Sequence, residues 1–84
     1  MNLGVRVKVV HIISEEDMEQ QEMGIDLDFS DIVPEEYTLY TIDYTKHYDK
    51  KRCIVSSAGF DFVVNESYEH LNDRIHALGT FRFN

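Results

Sequence analysis

Apolar and polar residues alternate from the start of the chain. Val5, Val7 and Val9 fall on one side of an extended segment from Leu3 to Ile13, with Arg6 and Lys8 on the other, which predicts a strand. Beyond Lys8 both sides turn apolar at Val10, Ile12 and Ile13, as expected of a strand in the middle of a sheet. Ser14-Glu15-Glu16-Asp17 resembles a capping box with Asp in the place of Glu, so a short helix is expected from Glu15 to about Met23, closed by Gly24. Its apolar residues are Met18 and Met23, and an ordered acidic loop fits the same residues. Ile25, Leu27 and Phe29 alternate with Asp26, Asp28 and Ser30 and read as a half-buried strand, after which Pro34 turns the chain.

Tyr37 to Tyr48 is the longest strand the pattern predicts. Asp49-Lys50-Lys51 forms a polar hairpin tip beyond it, and Arg52 to Ser57 returns with Cys53 and Val55 on one side and Ile54 on the other. Ser57-Ala58-Gly59 is a second tight turn, and Phe60, Phe62 and Val64 alternate after it. Tyr68, Leu71, Ile75 and Leu78 recur at i, i+3, i+7 and i+10, the apolar stripe of a helix over about Glu66–Leu78. Asn65 or Ser67 can cap that helix and Gly79 can stop it, with Phe81 and Phe83 in a last short strand. The expected fold is a single α+β domain over residues 1–84. It has an antiparallel sheet of about five strands, the C-terminal helix packed on one face, and a short acidic helix near the N-terminus.

Composition narrows the function classes. With 84 residues, 43% of them hydrophobic, the chain suits one compact domain. The formal net charge of −8 opposes direct binding to nucleic-acid phosphates or an anionic membrane surface. No apolar run approaches the roughly 18–20 residues that span a bilayer. The opening segment reads as a strand and not as a signal peptide, and the lone Cys53 has no intramolecular disulfide partner, so a cytoplasmic setting is expected.

Chemistry-bearing spacings are poor. Counted from Asp26, a calcium loop would have Asp31 where Gly makes the turn and Tyr37 where a bidentate Glu closes the site. His70 and His76 differ by about 240° around a helix, too far for a shared zinc ion. Cys53 on an alternating strand reads as a small core residue, and the chain has no G-x-S-x-G, Gly-rich phosphate loop, H-E-x-x-H or C-x-x-C. No catalytic residue, metal or cofactor is expected, and the protein is read as no enzyme.

Charge placement is more telling. From Glu15 to Glu36 the chain carries ten acids and no Lys or Arg, whereas the remainder carries six acids and eight bases. A solvated face that keeps a small protein in solution accounts for many such runs. Surface faces usually mix signs, however, and carboxylates at i and i+2 of a strand, such as Asp26 and Asp28, stand about 6.8 Å apart, close to two phosphate steps of a DNA strand. The expected partner-binding residues are therefore Asp26, Asp28 and Asp31, with Glu15, Glu16, Asp17, Glu35 and Glu36 around them. The expected partner is a basic protein surface of the kind that binds nucleic acid.

In size and charge the chain resembles small acidic phage proteins such as the uracil-DNA glycosylase inhibitor and several anti-CRISPR proteins, a resemblance that implies an inhibitor or decoy. Two other classes stay open. Tyr37, Tyr40 and Tyr44 load the longest strand with aromatic bulk, as an assembly subunit forming a homodimer would need. One helix covers one face of a sheet, so a second copy, or the acidic segment folding back, is needed over the other. The third class is a small-ligand sensor, which requires a concave apolar pocket.

Overall fold

A computed structural model describes residues 4–24 and 28–78. In chain order the elements are β1 (Val5–Ile12), α1 (Glu15–Glu22), β2 (Glu35–Leu39), β3 (Tyr44–His47), β4 (Cys53–Ser57), β5 (Phe60–Val64) and α2 (Tyr68–Leu78). The strands form one antiparallel sheet in the order β2-β1-β5-β4-β3, an α+β fold.

The sheet buries both faces, with different covers. Val5, Val7, Val9, Cys53, Val55, Phe62 and Val64 form one face, onto which α2 packs Leu71 and Ile75. Each such aliphatic side chain contributes about 1.5–3 kcal/mol on burial. Val10, Ile54 and Val63 form the other, and Phe29 lies over them with Ile13 and Tyr48 alongside. The second face is thus covered from within the chain, by the acidic segment folding back.

A β-bulge explains how one strand serves both faces. Val9 pairs with Val64 but His11 pairs with Val63, so β1 carries one residue more than β5 across this step. The extra residue lets Val10 and His11 both address the second face, where strict alternation would have sent them apart. His11 uses that position to bring its ring within 5.6 Å of the Phe29 ring.

The expected strand from Tyr37 to Tyr48 is instead two strands at opposite edges. β2 pairs only with β1 and β3 only with β4. Four strand spacings would hold those edges about 19 Å apart in a flat sheet, while the chain from Leu39 to Tyr44 reaches at most about 17 Å. The sheet is therefore curled. Ile42, 1% exposed, anchors the crossing in the core, and the Asp43 N–H and the Thr41 carbonyl bond to Ser56 and Ser57 at 2.8 and 2.5 Å.

The helix ends follow the sequence closely. The Ser14 N–H donates to Asp17 Oδ2 at 2.8 Å, and the Asp17 N–H to Ser14 Oγ at 3.3 Å, so the capping box closes with Asp. Gly24 takes φ 84° beyond α1. Helix α2 starts at Tyr68 and not at Glu66, because Ser67 is its cap and accepts the His70 N–H. Of the strand expected at residues 25–29, Asp28 and Phe29 lie in no strand, and Ile25, Asp26 and Leu27 lie outside the described residues. Gly79 and the expected Phe81–Phe83 strand also lie outside them.

Candidate functional site

The acids between Glu15 and Glu36 divide by what their carboxylates touch. Asp17 is committed to structure. Its Oδ2 accepts from the Ser14 N–H and hydroxyl and stands 2.7 Å from His11 Nε2. The Ser14 backbone bond, then the His11 bond, hold its carboxyl below the usual range. Asp28 is committed to a turn. It accepts the Ser30 N–H at 2.9 Å, and that bond, followed by the Ser30 hydroxyl, lowers its pKa, with the Arg52 charge acting in the same direction.

Glu35 accepts the Tyr37 hydroxyl at 3.2 Å, which raises the phenol above its usual value. Glu15, Glu16, Glu19, Glu22, Asp31 and Glu36 are exposed, and among the described residues their carboxylates make no hydrogen bond or ion pair. Asp26 lies outside the described residues. The phosphate-like spacing expected of Asp26 and Asp28 has no strand to carry it at Asp28.

Arg52 fastens this segment to the sheet. Its guanidinium carbon stands 5.5 Å from the Phe29 ring centroid, and its Nη1 stands 3.4 Å from Asp49 Oδ2. Asp49 in turn accepts the Lys51 and Arg52 N–H groups, each at 2.8 Å, and shapes the hairpin tip. Arg74 does comparable work on the first face. It binds both oxygens of Glu66 at 2.6 and 2.8 Å, and it donates to the Arg6 carbonyl, which β5 leaves unpaired by ending at Val64.

An apolar groove of about 260 Å³ opens where β1 runs past the start of β2. It is lined by Val9, Val10, His11 and Ile12 of β1 and by Ile32, Val33, Glu35 and Tyr37. Ile12 is 41% exposed, Ile32 40% and Val33 83%. Sequence reasoning missed this groove. The available signal was an adjacent pair of aliphatics, Ile32-Val33, set among acids in a loop with nothing nearby to bury them.

The tyrosines expected at an oligomer interface are scattered. Tyr37 is half-buried, its ring 5.7 Å from that of Phe62. Tyr40 is 61% exposed and overhangs Gly4, where an added Cβ would stand 3.1 Å from its ring and 2.2 Å from Thr38 Cγ2. Tyr44, at the other edge, donates to Asp61 and lies beneath Lys46 Nζ. Tyr37 and Tyr40 share a second groove, of about 350 Å³, with Leu39, Ala58, Phe60 and Phe62.

Cys53 is fully buried, and burial first, then the Glu66 and Glu69 charges, push its thiol up to about 12. Among the described residues no group of three His, Cys, Asp or Glu side chains is placed to hold a metal ion. Among them, too, no helix is long and apolar enough to cross a membrane.

No protein-family model, no curated protein and no solved structure matches this chain.

Proposed function

We propose that this protein is a non-catalytic binding module whose acidic segment engages a basic surface on a partner protein, as an inhibitor or decoy of a nucleic-acid-binding site. The observation that carries this reading is the set of six exposed carboxylates from Glu15 to Glu36 that have no internal partner among the described residues. Charges held this way repel one another and cost stability, and a basic partner offsets that cost while steering association. Asp17 and Asp28 shape the segment, so the contacts are assigned to Glu15, Glu16, Asp31 and Glu36, with Glu35, which already accepts the Tyr37 hydroxyl, beside them.

The test is affinity capture of the partner at low salt, then kinetics of the purified pair. Reversing Glu16, Asp31 and Glu36 to Lys should leave the fold intact and lower affinity at least about tenfold, mainly through association rate. Unchanged affinity and unchanged salt dependence would refute the reading.

A second reading has its own support. The groove between Tyr40 and Phe60, which are 61% and 57% exposed, favours an assembly subunit that pairs through its aromatic edge. Light scattering decides it: a mass near 9.9 kDa at every concentration would eliminate the homodimer.

A further inference from the structure

We infer that the groove between Ile12 and Ile32-Val33 receives an extended segment of the partner in which an aliphatic side chain is flanked by Lys or Arg. The inference rests on the acidic-surface reading above and names where on that surface the partner is seated.

Three features converge there. The first is an open backbone edge. His11 pairs with Val63 and the Ile13 N–H donates to the Asp61 carbonyl, so the N–H and C=O of Ile12 turn away from β5. On the side they face, β2 ends its pairing at Val9–Glu35, and no described strand continues past Ile12. An extended peptide can add one pair of backbone bonds at such an edge.

The second is the apolar lining. Val33 is 83% exposed although it stands beside Ile32 and across from Ile12. An aliphatic side chain laid between them would remove all three from water. The third is charge. Glu35 lines the groove, Asp31 precedes Ile32 directly, and Glu15 and Glu16 follow Ile12 within four positions, while no Lys or Arg lines it. Field and lining together select a basic, apolar strand over a second copy of this chain, which would bring the same acids.

Two short synthetic peptides of equal charge separate the groove from the field, one alternating Lys with Val and the other Lys with Gly. By fluorescence anisotropy the Lys-Val peptide should bind at least about tenfold tighter, the effect of burying one aliphatic side chain. It should also shift the Ile12 amide resonance. Val33→Ser should bring its affinity close to that of the Lys-Gly peptide without moving the melting temperature. Equal binding of the two peptides, or a Val33→Ser variant that binds normally, would overturn the groove while leaving the acidic surface standing. If neither peptide binds, both readings fall.

Discussion

Arg52 stands over the ring of Phe29, 5.5 Å from guanidinium carbon to centroid, and joins the hairpin tip to the segment that closes the second face of the sheet. Phe29 is 6% exposed, with the Tyr48 ring at 5.7 Å on one side and the His11 ring at 5.6 Å on another. Phe29→Ala should therefore cost about 3 kcal/mol in urea unfolding, and Arg52→Ala about 1 kcal/mol. A loss below about 0.5 kcal/mol for Phe29→Ala would mean that the segment does not depend on this anchor.

Asp17 links β1 to α1 through His11 and Ser14, so Asp17→Ala should cost about 1 kcal/mol and unwind α1 first. The pH dependence has a definite sign. The folded state holds this carboxyl below its usual 3.8, so the stabilisation is complete above 3.8 and is lost as pH falls through the lower folded value. Thermal midpoints of wild type and Asp17→Asn should converge on acidification; a constant gap would contradict the assignment.

Glu15 and Glu19 stand one helical turn apart on α1, both exposed and with no base beside them. Glu19→Lys replaces that repulsion with an attractive i, i+4 pair and should stabilise the fold by about 0.5 kcal/mol at low salt. The gain should shrink as salt is added. A gain that persists in high salt would mean that repulsion was not its source.

The β4–β5 turn holds Ala58 at φ 51° and Gly59 at φ 85°. This two-residue hairpin needs both positions left-handed, where Asn is tolerated far better than Ala. Ala58→Asn should raise stability by about 0.5–1 kcal/mol, and Ala58→Val should lower it by at least as much. Chemical denaturation of the two variants should give opposite signs.

The Cys53 thiol, buried and with its pKa near 12, should resist a thiol-specific reagent in the folded protein. Its modification rate should follow global unfolding as urea rises. Rapid labelling in water would place the thiol at an accessible surface and contradict the packing of β4.

Periodicity made most elements legible. Val5, Val7 and Val9, the alternation of Phe60, Phe62 and Val64, and the stripe of Tyr68, Leu71 and Ile75 each say which residues face inward. The structure buries them except Phe60, 57% exposed beside the turn, and Tyr68, which is half-buried. Alternation does not say which strand lies beside which. It also continued unbroken through Tyr40–Asp43, where neither Gly nor Pro marks the crossing between the two edges, so two strands read as one. The acidic segment was visible as charge and, at Ser14 and Asp17, as the cap of a short helix. What the pattern did not show is that Asp28 holds a turn through Ser30, and that Asp17 also bonds His11, which the bulge in β1 brings into place.

The pairing of Val9 with Val64 has a consequence for how the molecule assembles. The β4–β5 hairpin closes over two residues and can form early, and β3 joins it through another short turn. β1 must instead search for β5 across a loop containing most of the chain, and β2, which pairs with β1, joins the rest of the sheet through it. Closing that loop carries the largest entropic cost in the fold, which places it late and makes it slow. Substitutions in the hairpin should then alter the folding rate, while Val7→Ala or Leu39→Ala should act mainly on unfolding. Until that step completes, the α1 acids and the Ile12 edge are tethered to an unfinished sheet, so the proposed docking surface takes shape only once β1 has met β5.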